Sequence, residues 1–233
     1  MNESTKEIAE ATKAVATTAG KAIDAGREAG GFIAQIIKEP LLEVAALFTD
    51  KIKYKRQENI IDLEIRLKRK IAALNSKYTL KEIPMVVAVP LLEAASLEEL
   101  EHIRDTWANL CLNFSNSQSE VLPSRAFVDA LSSMSPFEAL IFNSIYSTPD
   151  ANKSCILTGD LPDIVKFETI KKDGSRQIPK EPSSDVALAI ANLFRTQCLQ
   201  TAKYMGGPDV YSTVYTTLFG AKLFEACTDR TVE

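Results

Sequence analysis

The chain has 233 residues, of which 45% are hydrophobic and 25% charged, so it has enough apolar side chains for a folded core and is not a disordered protein. Its 9 Gly and 10 Pro are too few for a collagen-like or linker-like chain. The four Cys are widely separated, unlike the ligands of a zinc site or the cysteines of a disulfide scaffold. We therefore expect buried free thiols in a reducing cytoplasm, within one large domain or two small ones.

The formal net charge of −4 is unevenly distributed along the chain. Residues 1–82 carry a net charge of +3, whereas residues 83–233 carry −7. Within 51–70 there are eight basic and three acidic residues, an excess that can meet phosphates or anionic lipids. The acidic C-terminal half argues against a broad affinity for nucleic acids.

No stretch of about 18 to 20 residues is apolar throughout, as a membrane-spanning helix requires. The closest candidate, 30–48, is interrupted by Lys38, Glu39, Pro40 and Glu43. The polar first residues lack the pattern of a secretory signal. We expect a cytoplasmic protein whose contact with a membrane, if any, is peripheral and made by an interfacial helix.

Residues 4–37 have the periodicity of a helix, and Ser4 and Glu7 have the spacing of a capping box. The apolar face is mostly Ala and therefore buries little area. Four glycines interrupt it, each costing a helix up to about 1 kcal/mol relative to Ala. Two interpretations of the Gly/Ala-rich arm 1–39 stay open: a mobile arm, or a helix that packs closely on a protein partner or on a second copy of the chain.

A second helical pattern extends from Pro40 to about Lys77, as one long helix or two joined helices. Basic residues cover its polar faces, and eight of them form a candidate contact site for an anionic surface: Lys51, Lys53, Lys55, Arg56, Arg66, Lys68, Arg69 and Lys70. The simpler interpretation is a solvated helix face. The alternative is a stripe that binds lipid headgroups or nucleic-acid phosphates.

Residues 79–95 contain Pro84 and Pro90, and they predict an extended connector that leads into a helix at Pro90. Ser96 and Glu99 have the spacing of a second capping box, which predicts the start of the next helix. That helix is expected to end where the sequence becomes polar and turn-like.

The helix predicted after Ser96 carries the only Trp and the only His of the chain. Trp107 lies in register with Leu100 and Ile103, so we expect it in the core and not at a binding surface. His102 lies on the polar side, and a single His cannot complete a metal site without a cluster of carboxylates. No catalytic or phosphate-binding motif occurs, so the sequence predicts a non-enzymatic protein with no cofactor and no small-molecule substrate.

The second half of the chain alternates helices with short strands. Residues 125–132 predict a short helix, and three further helix starts follow: Ser135 with Pro136 and Glu138, Ser183 or Ser184, and Thr216 or Thr217. Two groups of strands are predicted: a strand-rich insertion at 149–182 with a turn signal at 172–175, and a hairpin around a turn at 206–209.

Two helices followed by a β-hairpin are typical of a winged-helix module. The predicted fold is therefore mainly α, with long N-terminal helices, a helical domain at 40–120 and a winged-helix-like α+β domain at 121–233. Such a module could contact nucleic acid through Asn192, Arg195 and Lys203. Because these residues are a weak basic footprint, a protein-packing role for this domain is the favoured interpretation.

Several blocks of the sequence resemble one bacterial family. They are Ala-Ser-Leu-Glu-Glu-Leu from Ala95, Trp-Ala-Asn-Leu from Trp107, Phe-Val-Asp-Ala-Leu from Phe127, Leu-Ser-Ser-Met-Ser-Pro-Phe-Glu-Ala from Leu131, and the ending from Tyr215 to Cys227 with Thr-x-x-Gly at its helix start. They resemble the Abi-alpha (abortive infection alpha) family over about residues 20 to 228, the strand-rich stretch 149–182 excepted. The resemblance implies a role in phage defence and brings no catalytic residues.

Two functions from different classes follow, beside a third alternative, a hydrolase or nuclease whose active-site residues are dispersed along the chain. The first is a non-enzymatic defence protein that acts through a protein partner, a homo-oligomer or a membrane surface. The second is a winged-helix nucleic-acid-binding regulator, whose binding would weaken steeply with salt. The sequence alone does not name the trigger or the phage component sensed.

Overall fold

The computed structural model describes residues 50–74, 78–169, 178–201 and 210–229, except for the side chains of 50–54 and of Lys153. The predicted helix 4–37, the arm 1–39, the helix start at Pro40 and the turns at 172–175 and 206–209 lie outside the described residues. The described part is mainly helical, with seven α-helices and one small antiparallel sheet, so the mainly α fold class is confirmed.

The chain divides into two compact units. The first comprises the residues up to Pro123 together with those from Asp229 onward, and the second comprises Ser124–Thr228. The predicted domain boundary, between residues 120 and 121, falls shortly before this division. Each unit buries its own set of apolar side chains.

Three helices build the described part of the first unit: α1 (Asp50–Leu74), α2 (Met85–Leu97) and α3 (Glu101–Ser115). α1 packs on both other helices, and its buried stripe includes Leu63 and Leu67 at the spacing of a helix face. Trp107 of α3 is 2% exposed, which confirms its predicted place in the core.

The predicted connector before Pro90 is wrong, because α2 begins at Met85 and contains Pro90. The carbonyl of Pro84 accepts the first helical hydrogen bonds, from the N–H groups of Val87 and Ala88. Pro90 removes one such bond, but the helix buries Val87, Ala88 and other apolar side chains on its inner face. Burial in the core therefore outweighs the local preference of proline.

The capping box predicted at Ser96 is also wrong. Ser96 is the buried penultimate residue of α2, and its hydroxyl donates to the Glu93 carbonyl at 2.7 Å. α3 begins five residues later, after a turn in which the Glu98 carboxylate accepts from the N–H groups of Glu99 and Leu100. The reason is tertiary: the Asn59 side-chain amide donates to the carbonyls of Ser96 at 2.8 Å and Glu98 at 3.0 Å, which holds the end of α2 against α1.

Four helices belong to the second unit: α4 (Arg125–Ser132), α5 (Pro136–Tyr146), α6 (Ser184–Arg195) and α7 (Leu218–Cys227). Their predicted starts are confirmed. Ser135 and Glu138 form a capping box, in which Glu138 N–H donates to the Ser135 hydroxyl and Ser135 N–H donates to the Glu138 carboxylate. Ser183 caps α6 and Thr217 caps α7 through their hydroxyl groups.

The sheet of the second unit has four short strands: β1 (Ile156–Leu157), β2 (Lys166–Phe167), β3 (Leu199–Thr201) and β4 (Thr213–Thr216). All pairs are antiparallel and the order is β2-β1-β4-β3. The stretch 149–182 therefore contributes two strands to the same sheet as the hairpin β3–β4. Side chains from this sheet and from the helices around it share one apolar core, which includes Ile141, Ile156, Ile190, Val214 and Leu223.

Candidate functional site

The eight basic residues of the candidate anionic-surface site all belong to α1, but their surroundings differ. The side chains of Lys51 and Lys53 lie outside the described residues. Of the other six, Lys55, Lys68 and Arg69 are exposed. Arg56 is half-buried, and Arg66 and Lys70 are buried. The helical period explains this division, since every three or four residues one basic side chain turns toward the core.

Arg66 joins α1 to α3 through carboxylates. Its Nε lies 2.8 Å from Asp62 Oδ2, one turn earlier on α1, and its Nη1 lies 2.9 Å from Asp105 Oδ1 on α3. Glu101 Oε1 is 3.5 Å from Nη2. The hydrogen bond from Arg66 to Asp62 is the main cause that raises the pKa of the guanidinium. The Arg66 side chain is only 10% exposed. The carboxylates of Asp62 and Asp105 therefore balance its charge inside the first unit.

Lys70 is the second buried base. Its Nζ lies 2.6 Å from Asp229 Oδ2, and the Lys70 side chain is 8% exposed. Asp229 follows α7 in the chain, but it belongs to the first unit. The contact therefore ties the C-terminal part of the chain to α1.

The exposed bases of α1 have two different settings. Lys55 lies 3.8 Å from Glu58, and both side chains are more than half exposed. Lys68 lies 2.9 Å from Glu64, whose side chain is 1% exposed, so this carboxylate faces inward while the ammonium group faces solvent. Arg69 is 69% exposed and lies 3.8 Å from Asp105. Among the described side chains of α1, the exposed bases are thus Lys55, Lys68 and Arg69.

Two of the three predicted nucleic-acid contacts, Asn192 and Arg195, lie on α6. The Asn192 amide donates to the Ser133 carbonyl at 3.1 Å and to the Glu138 carboxylate at 2.7 Å. Arg195 is exposed, and its Nε donates to the Asn192 side-chain oxygen at 2.7 Å. Asn192 is therefore occupied by contacts to the start of α5. Lys203 lies outside the described residues.

All four cysteines are free thiols. Burial raises the pKa of each of them, that of Cys111 to about 12, so each favours the protonated form at neutral pH. His102 is exposed on α3, as predicted. Among the described residues, no group of three His, Cys, Asp or Glu side chains could hold a metal ion.

Within 50–74, 78–169, 178–201 and 210–229, every helix is too short or too polar to span a bilayer.

Residues 55–227 match the protein family described as abortive infection alpha. The match covers well over half of the chain and includes both α1 from Lys55 onward and the strand-rich stretch that the sequence blocks did not cover. The chain belongs to the abortive infection alpha family. No curated protein and no solved structure matches it.

In this member of the abortive infection alpha family, the Thr-x-x-Gly block has a clear structural role. The Thr217 hydroxyl accepts from Gly220 N–H at 2.9 Å and donates to the Gln197 carbonyl at 2.6 Å. A Cβ at Gly220 would lie 2.6 Å from Tyr146 Cζ and even closer to the Tyr146 and Cys198 oxygens. Threonine therefore starts α7, and glycine leaves the space that the Tyr146 ring fills.

The Tyr146 hydroxyl joins three elements of the second unit. It donates to the Cys198 carbonyl at 2.5 Å, and it accepts from Thr217 N–H at 3.1 Å. Burial raises the pKa of this hydroxyl. Sequence reasoning missed this junction, which links α5, β3 and α7. The only signal for it was the Thr-x-x-Gly spacing, because nothing in the sequence pairs Tyr146 with Gly220.

Asp160 is the second group that sequence reasoning missed. Its two carboxylate oxygens accept from Lys166 at 2.6 Å and from Lys180 at 2.8 Å. These two hydrogen bonds lower the pKa of Asp160 to about 2, with the Lys166 bond the larger cause. A Cβ at the neighbouring Gly159 would lie 2.6 Å from the Lys180 carbonyl oxygen. Asp160 and Gly159 thus hold the chain before α6 against the loop between β1 and β2.

Proposed function

We propose that this protein acts in abortive infection, as a non-enzymatic defence protein that works in the cytoplasm through a protein partner, a second copy of itself or a membrane surface. The observation that carries the proposal is membership of the abortive infection alpha family over residues 55–227. In this type of defence, an infected cell stops growing or dies before phage are released.

The chemistry of the described polar residues supports a role in binding over a role in catalysis. The cysteine thiols are held in their protonated form by burial and are poor nucleophiles. The buried bases Arg66 and Lys70 are paired with carboxylates that hold helices and chain ends in place. Lys68 and Arg69 of α1 pair with Glu64 and Asp105 but stay more than half exposed, so a partner can reach them.

The test is phage plating on bacteria that express the full chain, with culture survival followed at low and high ratios of phage to cells. We expect fewer plaques, survival of the culture at a low ratio and its collapse at a high ratio. Normal plaque numbers across a broad phage panel would contradict the proposal. A strain that expresses the chain with a premature stop is the control.

The second candidate is a winged-helix nucleic-acid-binding regulator. One observation favours it: the hairpin β3–β4 follows α6 directly, as a wing follows its recognition helix. Arg195, which is exposed at the end of α6, would then contact phosphate. Duplex binding should weaken steeply with salt and fall on substitution Arg195→Gln, whereas Arg125→Gln on α4 should have little effect. No shift of duplex DNA at low salt would exclude this candidate.

A further inference from the structure

One exposed surface of α1 combines an apolar side chain with basic ones. Ile65 is 60% exposed, and the side chains of Lys68 and Arg69 are 53% and 69% exposed. Ala72 is exposed as well. The spacing of three, four and seven residues places these four side chains on one stripe of the helix. We call this stripe the Ile65 face.

The exposed charges of the Ile65 face are basic. Between Asn59 and Leu74, which the structure describes in full, the exposed charged residues are Lys68 and Arg69. Each has a carboxylate beside it: Glu64, which is buried, lies 2.9 Å from Lys68, and Asp105, which also contacts Arg66, lies 3.8 Å from Arg69. Both basic side chains are still more than half exposed, so an anionic surface can reach them.

We propose that the Ile65 face binds an anionic membrane surface, with the Ile65 side chain entering the acyl boundary and Lys68 and Arg69 contacting the headgroups. This inference rests on the proposed function. Of the three partners offered there, it selects the membrane surface and specifies that the membrane is anionic. A helix with an apolar stripe flanked by Lys or Arg lies in the plane of the interface, where apolar burial and headgroup attraction add together.

Exposed Ile65 favours lipid over nucleic acid as the occupant. A phosphate backbone would use Lys68 and Arg69, but it would gain nothing from an isoleucine between them. A bilayer uses both kinds of side chain. Substitution of Ile65 therefore separates the two partners.

The experiment is flotation of the full chain with vesicles of phosphatidylcholine that contain phosphatidylglycerol, and with vesicles of phosphatidylcholine alone. We expect binding to the anionic vesicles only. The double substitution Lys68→Gln and Arg69→Gln should weaken it roughly 25-fold, at about five-fold for each basic residue near the surface. Ile65→Ser should weaken it roughly three- to ten-fold, since the lost side chain is partly inserted.

Matched controls come from the second unit. Arg125 is an exposed base with a carboxylate one turn away, like Lys68, and Leu188 is 71% exposed. Arg125→Gln and Leu188→Ser should bind vesicles as the unchanged chain does. Since Trp107 is the only Trp and lies in the core of the first unit, its fluorescence confirms that the α1 variants stay folded.

Two results would overturn the inference directly: no binding to anionic vesicles, or α1 variants that bind as well as the unchanged chain. A third would be full vesicle binding by Ile65→Ser together with release of the protein from the vesicles by duplex DNA. The last result would assign the face to a nucleic acid. The failure of the proposed function is a separate result. Plaque reduction without vesicle binding removes only this inference, and vesicle binding without plaque reduction removes the proposed function.

Discussion

At the scale of single residues, the second unit depends on contacts that tolerate little change in size. The Tyr146 ring packs directly over Gly220, with its hydroxyl bonded to Cys198, just before β3, and to Thr217 at the start of α7. Cores lose stability when atoms are added to a filled site, because neither the ring nor the backbone carbonyl of Cys198 can retreat without breaking other contacts.

Gly220→Ala should lower the free energy of unfolding of the second unit by about 1–3 kcal/mol, since the new methyl group would overlap Tyr146 and the Cys198 carbonyl. The measurement is urea unfolding followed by far-UV circular dichroism. Lys222→Ala, on an exposed position of the same helix, is the control and should change stability by less than about 0.5 kcal/mol. Equal stability of Gly220→Ala and the unchanged chain would refute the packing described here.

Asp160 predicts a dependence of stability on pH. Its pKa in the folded chain is about 2, below the value of 3.8 expected when the chain unfolds. Between these values the unfolded chain binds more protons, so the stabilising contribution of Asp160 is present above about pH 4 and is lost as pH falls toward 2. Asp160→Asn should flatten the fall in melting temperature of the second unit over this range.

The measurement is scanning calorimetry from pH 5 to about pH 2. Asp163→Asn, which changes an exposed residue of the same loop, is the comparison and should retain the slope of the unchanged chain. If both variants give the same slope, the two lysine contacts of Asp160 do not contribute as described.

At the scale of secondary-structure elements, the end of α6 determines where β3 begins. Cys198 N–H donates to the Leu193 carbonyl at 2.8 Å, and Gln197 N–H donates to the Phe194 carbonyl at 2.9 Å. This is the Schellman pattern, with Gln197 at the left-handed position, where its φ is 59°. Glycine adopts that conformation without a steric penalty, whereas a residue with a Cβ is strained by about 1 kcal/mol.

Gln197→Gly should therefore raise the free energy of unfolding of the second unit by about 0.5–1 kcal/mol. Gln200→Gly is the matched control, because Gln200 is equally exposed but extended in β3. It should lower stability, since glycine weakens a strand. Urea midpoints for the two variants should move in opposite directions. A lower midpoint for Gln197→Gly would show that the left-handed position carries no strain.

At the scale of the whole molecule, the chain leaves the second unit after α7 and returns to the first at Asp229. The ion pair between Lys70 and Asp229 attaches this part of the chain to α1, and the Lys70 side chain is almost fully buried. Removing one partner of a buried pair leaves an uncompensated charge, which costs more than the pair itself contributes.

Asp229→Asn should lower the free energy of unfolding of the first unit by about 1–3 kcal/mol, a range that allows for the partial exposure of Asp229. Trp107 fluorescence during urea unfolding reports on that unit. Glu58→Gln breaks an exposed pair with Lys55 in the same unit and should have an effect below about 0.5 kcal/mol. Equal effects of the two substitutions would show that Lys70 does not need its partner.

Features that depend on residues close together in the chain were predictable without a structure. The starts of α5, α6 and α7 follow from cap residues within a few positions, and the core place of Trp107 follows from helical spacing. The family assignment also came from sequence blocks alone, and it is confirmed over 55–227. Local hydrogen bonds and periodicity are enough for all of these.

The extent of α2 and the burial of the α1 bases depend on residues that are distant in the chain, so they became visible only in the folded structure. α2 includes Pro90 and Ser96 because its inner face is buried and Asn59 of α1 bonds to its last carbonyls. The sequence does not separate the buried from the exposed basic residues of α1. Its one hint is the four-residue spacing of Asp62 and Arg66, which is that of a helical ion pair. Packing against α3 and the return at Asp229 bury Arg66 and Lys70 and leave Lys68 and Arg69 exposed. Burial thus distinguishes the structural bases from the exposed ones, and it depends on partners that are far away in the chain.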